Sequence, residues 1–257
     1  VARCSMLLYL ALYIRLSTKF KEYVNKISFR NLQIKLFKGI IKLGFPSALQ
    51  MFFEVLFFTA AIWLSGILGK NTQAANQIAL NLSSMTFMFA MGLGVTAMIR
   101  VGNQKGRKDS IRLREVAHSI FLLIFLFDVF FCLLFLSLNE ILPWIYLDSS
   151  NTFELKDSLE VVKIASTLLI ISAFFQLSDG LQAVVLGALR GLQDVNIPAG
   201  ITFFAYGLIG FPIAYFLGIY TTLEATGIWI GLLSGLTASA ILLFLRFRYL
   251  STKLKFD

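Results

Sequence analysis

The sequence predicts an all-α integral membrane protein built around a six-helix transmembrane lobe, and three observations carry that prediction. Hydrophobic residues make up 58% of the 257 positions and charged ones 14%, with a mean hydropathy of +0.79; a water-soluble domain cannot hide that much apolar surface. Six apolar runs, at 43–68, 74–99, 116–138, 160–187, 198–219 and 226–246, are each long enough to cross a hydrocarbon core of about 30 Å as a helix. The basic residues alternate in density from one connection to the next. Nineteen Lys and Arg fall on one side of such a bundle and four on the other, which is the bias that sets membrane orientation.

Taken in order, residues 1–14 (VARCSMLLYLALYI) lack an initiator Met and a cleavage site and are too short to span, so they read as the end of a helix whose start is missing and the chain as a fragment. Residues 15–42 form a basic linker. Within it Ile34, Phe37, Ile40 and Ile41 recur at the spacing of a short amphipathic helix lying on the cytoplasmic leaflet. The six spans then occupy 43–246, joined mostly by short connections that favour antiparallel neighbours. A basic tail, 247–257, closes the chain on the cytoplasmic side. Pro46, Pro198 and Pro212, with Gly207, Gly210 and Gly218, sit inside spans, where they permit bends around a cavity.

Where the basic residues lie also bears on partners. Arg15, Lys19, Lys21, Lys26, Arg30, Lys35, Lys38 and Lys42 precede the first full span, Arg100 to Arg114 follow the second, Arg190 follows the fourth, and Arg246, Arg248, Lys253 and Lys255 follow the last. The other side carries Glu140, Asp148, Glu154, Asp157 and Glu224. No aromatic interleaving or nucleic-acid motif accompanies the basic loops, so the net charge of +9 points to membrane lipid rather than nucleic acid. Cys4 and Cys132 are too far apart in sequence for a CxxC-type metal site and read as packing residues. His118 reads as an interfacial residue.

Three carboxylates lie inside the apolar runs: Glu54, Asp128 and Asp179. Each costs at least about 2.5 kcal/mol to insert at mid-bilayer, so each needs a compensating environment. Glu54 lies eleven residues and Asp179 eight residues from the cytoplasmic ends of their spans, a depth difference of only about 5 Å at the helical rise. One cavity can hold both. Gln50 stands four residues before Glu54, Gln182 three after Asp179, and Gln77, Asn81 and Ser84 form a polar stripe on the intervening span. Asp128 has no such company on its own helix and reads equally as structural or functional.

These residues also carry a resemblance. GFPSALQMFFE, LGKNTQAANQIALNLSSMTFMFAMGLGVTAMIRVGNQKG and FFQLSDGLQAVVLGALRGLQDVNIPAGITFFAYGLIGFPIAYFLG together resemble the C-terminal half of a NorM-type multidrug and toxic compound extrusion (MATE) transporter, from about Lys38 to Leu245. The resemblance implies helices seven to twelve of a twelve-helix protein, a missing N-terminal lobe, and export of lipophilic, often cationic drugs or metabolites across the cytoplasmic membrane in exchange for Na⁺ or H⁺. It implies no cofactor beyond that coupling ion. Glu54 matches the family's acidic residue of helix seven, Asp179 that of helix ten and Gln77 a polar cavity position. Phe175 stands where some sodium-coupled members have Tyr, which removes one hydroxyl ligand.

An anionic site at Glu54 and Asp179 that binds either a cation, with Na⁺ the favoured ion, or a cationic drug would couple the two by competition. Phe52, Phe53, Phe57, Phe174 and Phe175 offer an adaptable apolar wall, to which one or two would contribute. Two other classes are weighed. A lipid-linked saccharide flippase of the same superfamily would need basic residues inside the spans to meet phosphate, and the runs hold essentially none. An intramembrane enzyme would need a nucleophile, dyad or metal set, and neither HExxH nor GxSxG occurs.

Overall fold

The computed structural model describes residues 2–17, 20, 34–147 and 155–254. Most of the basic linker before Ile34, the loop bearing Asp148 and Glu154, and Lys255 lie outside the described residues. Six helical elements among the described residues are long and apolar enough to cross a membrane. They are α2 (Ile34–Ile67), α3 (Lys70–Gly106), α4 (Ser110–Leu138), α5 (Leu155–Gly191), a composite of α6 (Asn196–Phe203), a π-helical segment (Phe204–Gly210) and α7 (Phe211–Ile219), and α8 (Glu224–Lys253). The preceding α1 (Ala2–Leu16) carries no buried residue. The chain divides into two compact units, 1–44 and 45–257, and the cavity and site described below belong to the second.

The helices overrun the apolar stretches that announce them. Residues 34–42, expected as a separate surface helix, continue without interruption through Pro46 into α2, because Phe45 extends the same helical period and nothing between breaks it. The tail from residue 247 is likewise helical to Lys253, since Arg, Leu and Lys are good helix formers whether or not lipid surrounds them. Asp109 caps α4, its Oδ1 accepting from the Arg112 amide at 2.9 Å. Gly69, between α2 and α3, has φ +127°, a conformation that strains any L side chain and makes the tight reversal possible.

Helix pairing rests on absent side chains. A Cβ on Gly187 would stand 2.0 Å from the Gly94 carbonyl oxygen, and one on Gly191 2.6 Å from that of Met98, so α3 and α5 meet backbone to backbone. A Cβ on Gly231 would likewise lie 2.3 Å from the Ala214 nitrogen, which pairs α7 with α8. Between apolar helices in lipid, such close approach supplies the dispersion contact that the hydrophobic effect does not. At one end Lys105 Nζ donates to the Leu192 carbonyl at 2.7 Å and Arg246 Nε to Asp194 Oδ2 at 2.8 Å, so three basic connections of the charge pattern share that end.

The core is interrupted at its middle. One apolar cluster runs along α3 from Ala75 to Leu82, along α5 from Val161 to Phe175 and along α8 from Ala225 to Leu236. A second takes over at Ala90, Val184 and Leu243 on the same three helices. Between the two clusters lies a layer of buried polar side chains: Ser83, Asp128, Gln176, Asp179, Gln182 and Ser239. Pro212 sets the irregular segment beside that layer. Its ring cannot accept the usual approach of the carbonyl four residues back, at Leu208, and the wider π turn spanning that position relieves the conflict.

Candidate functional site

The principal cavity is about 460 Å³ in volume and is walled by α2, α3 and α5, within the range that accommodates a drug-sized ligand. Glu54 and Asp179 both line it, as do Gln50, Gln77, Asn81 and Phe175. The polar stripe of α3 faces inward to the cavity, Gln77 Nε2 donating to Asn81 Oδ1 at 3.5 Å. Gln50 Nε2 donates to Glu54 Oε2 at 3.1 Å, as the four-residue spacing predicts.

Gln182 is the exception among the expected cavity residues. It is 1% exposed, does not line the cavity, and donates through Nε2 to the hydroxyl of Tyr206. Three residues along a helix rotate a side chain by about 60°, and here that rotation carries Gln182 from the cavity wall into the bundle interior. Of the five phenylalanines considered for the wall, only Phe175 takes part, joined by Phe58 and Phe87. Phe57 stacks on Tyr206 at 4.8 Å and Phe53 packs on Phe203 at 4.9 Å, while Phe52 and Phe174 are exposed on the outer surface. Cys132 is buried as expected, whereas Cys4 is exposed.

Two charged residues take roles that the linear reading did not give them. Arg190 is the penultimate residue of α5 rather than a loop residue; it lines the cavity, and its guanidinium donates to Gln50 Oε1. Gln50 therefore connects Arg190 to Glu54, and the cavity does contain a basic side chain, contrary to the expectation used against a flippase. Its position at the end of an apolar run disguised it as part of the basic connection. Asp128, isolated on its own helix, packs over the Cα of Gly180: a Cβ there would fall 2.2 Å from its Oδ2. That places a third carboxylate within electrostatic reach of Asp179.

Three methionines, Met51, Met91 and Met98, complete the cavity wall. Their unbranched, polarizable side chains adapt to ligands of different shape. The signal for Met91 and Met98 was present in the sequence, because they continue at helical spacing the stripe begun by Gln77, Asn81, Ser84 and Phe87. Among the described residues no group of three or more His, Cys, Asp or Glu side chains is disposed to hold a metal ion. A hard cation here would have to complete its shell from neutral oxygens.

With this geometry in place, comparison with known proteins is direct. Residues 46–216 match the MatE family. The chain belongs to the MatE family. Within it the chain is of the NorM type: it is 36% identical over 253 residues to the multidrug resistance protein NorM of Vibrio vulnificus strain YJ016, covering 95% of this chain and 53% of that protein. It is 35% identical over 246 residues to the multidrug resistance protein MdtK of Proteus mirabilis strain HI4320, covering 93% and 51% respectively. This MatE chain thus spans about half the length of the curated relatives it matches. Among solved structures, the eukaryotic MATE transporter AtDTX14 superposes with a TM-score of 0.79 at 23% identity, over 96% of this chain and 55% of that one. An outward-facing MATE family transporter of the MOP superfamily gives 0.78 at 19% identity, over 95% and 53%. These likenesses establish the fold, a multi-pass helical lobe.

Proposed function

We propose that this MatE chain forms the cation-handling lobe of an antiporter that exports lipophilic, often cationic small molecules across the cytoplasmic membrane, working with a second six-helix lobe. The carrying observation is that Asp179 and Glu54, from different helices, line one drug-sized cavity whose wall combines a few polar side chains with a larger apolar, methionine-containing surface. A cationic ligand in that cavity and a coupling cation at Asp179 draw on the same negative charge. Loading one therefore weakens the other, and the linkage is reciprocal.

Na⁺ is the favoured coupling ion, since carboxylate and amide oxygens are hard ligands. Phe175, which brings no oxygen, favours H⁺ as the second reading. Arg190 does not make the cavity a phosphate site, because Gln50 engages it and the Glu54 charge offsets it. The basic connections at Lys105 and Lys253 face the cytoplasm in this reading and the loop at Glu154 faces outward, so an impermeant thiol reagent applied to intact cells should label a cysteine at position 154 and not one at 105.

The functional test is efflux by the full-length protein in proteoliposomes with the Na⁺ and pH gradients imposed separately, in the wild type and in Asp179→Asn. Loss of both Na⁺-driven and pH-driven efflux in the variant, with insertion intact, is expected. Efflux indifferent to the substitution would remove Asp179 from the mechanism.

A further inference from the structure

A second concavity lies on the outer face of the bundle, in the seam between α2 and α6, and shares no residue with the principal cavity. It encloses about 430 Å³ and is lined by Phe45, Leu49 and Phe53 from α2 and by Asn196, Gly200 and Phe203 from α6. Asn196 is the one polar side chain among the described residues that line it. Phe45 and Phe203 are both more than half exposed, so the groove opens sideways, toward the hydrocarbon.

Its length and direction follow from one contact. Phe53 meets Phe203 at 4.9 Å between ring centroids and closes the groove at mid-helix, while Phe45 lies eight residues earlier on α2 and Asn196 seven residues earlier on α6. At the helical rise that makes a trough about 10–12 Å long, running along the helices. One leaflet of a hydrocarbon core is about 15 Å deep. The trough therefore starts at the membrane surface and stops near the middle, as one acyl chain does.

Gly200 keeps it open. A Cβ on Gly187 or Gly231 would collide with a neighbouring helix, yet one on Gly200 would meet nothing within 4 Å. Glycine is a poor helix former, and inside α6 this one returns no close packing, only space. The open end adjoins the basic end of the lobe: the connection that leads into Asn196 receives hydrogen bonds from Lys105 and Arg246, and Arg107, Lys108, Arg248 and Lys253 follow on the same helical ends. Asp194 in that connection is already paired with Arg246 at 2.8 Å. Basic side chains at a membrane surface attract anionic headgroups, whereas a peptide loop pressed into an apolar trough would leave its backbone groups without partners.

We infer that this groove holds one acyl chain of an anionic phospholipid from the leaflet that the basic connections face, with the headgroup at the Asn196 end and the chain tip against Phe53 and Phe203. The lipid fills the seam that the side chains of α2 and α6 leave open and so helps to seat α2.

The test is native mass spectrometry of the purified full-length protein in detergent, titrated with phosphatidylglycerol and separately with phosphatidylcholine bearing the same chains. For the tightest-held lipid, the wild type should prefer phosphatidylglycerol by about fivefold or more. Gly200→Leu places a side chain in the trough and should weaken phosphatidylglycerol binding by about tenfold, by displacing methylenes of the chain. Leu49→Trp narrows the opposite wall and should act in the same direction. Gly92→Leu, at an equally uncrowded and exposed glycine of α3 outside the groove, should leave binding unchanged. Unaltered lipid affinity in both groove variants, each eluting as folded protein, would overturn the inference, and so would equal affinity of the wild type for the two lipids. A melting temperature lowered in both groove variants at unchanged lipid affinity would also overturn it, and would give the groove to a helix of the second lobe.

Discussion

Glu54 and Asp179 share a cavity but not a condition. Glu54 is half-buried and already answered: Gln50 donates to it, Arg190 donates to Gln50, and the guanidinium charge lies close by. Asp179 is 6% exposed, has an oxygen with no partner, and looks toward two further acids and a tyrosine. A buried carboxylate without a counter-charge is expensive, and a family of transporters gains from keeping it so only if its partner arrives from solution. On the proposed reading, the difference separates the acid that takes up a partner from the acid that orders the wall.

The largest test of that difference is Asp179→Asn against Glu54→Gln in one efflux assay. Asp179→Asn should abolish coupled transport, by on the order of 100-fold or more. Glu54→Gln should leave measurable transport, because Gln50 and Arg190 remain to order that wall. Equal losses in the two variants would break the distinction.

A smaller effect is expected from Gly180→Ala, where the new methyl group would collide with the Asp128 carboxylate. Forcing that contact should destabilise the folded protein by about 1–3 kcal/mol, seen as a lower melting temperature in detergent. Asp128→Ala in the same chain should restore most of the loss, and the double-mutant cycle measures how firmly the third acid is lodged there. A simple additive result would mean that Asp128 can turn away at no cost.

Arg190→Gln sharpens the partnered side. Removing a positive charge from the cavity should tighten binding of a lipophilic cation by about fivefold, equivalent to about 1 kcal/mol, and leave a neutral ligand of similar shape unchanged. An equal change for both ligands would assign Arg190 to packing. The smallest effect belongs to the methionines: Met91→Leu and Met98→Leu conserve volume and should shift affinity for any one ligand by less than about threefold, while narrowing the set of ligands accepted, as competition assays with a ligand panel would reveal.

What could be read in advance divides along physical lines. The spans were legible because twenty consecutive apolar residues have few soluble uses, and Glu54 and Asp179 because a charge in such a run stands out. Their polar companions Gln50, Gln77 and Asn81 followed from helical spacing on a single element. Arg190 was not legible, since a basic residue at the end of an apolar run looks the same whether it continues the helix into a cavity or starts a loop. Asp128 and Ser239 acquire meaning only through α5, which lies on other stretches of the chain, and spacing along one helix carries no such information. Tyr206 was hidden among aromatic neighbours, and the π turn that aims it leaves no pattern in the sequence beyond the nearby Pro212.

The glycine contacts of α3 and α5 have a mechanical consequence. Gly94 and Gly187 both lie in the cavity wall, with one backbone against the other. No side chain there is left to repack, so these two helices behave as one stiff panel. Helix α2, by contrast, meets the rest through the ends of side chains: Phe57 on Tyr206, Phe53 on Phe203 and Gln50 with Arg190. Those contacts can be altered by substitution one side chain at a time, whereas the glycine contacts cannot. The cavity therefore has two kinds of wall, one of helix backbone laid directly on helix backbone and one, α2, seated only by its side chains, so that point substitutions can reshape the second far more readily than the first.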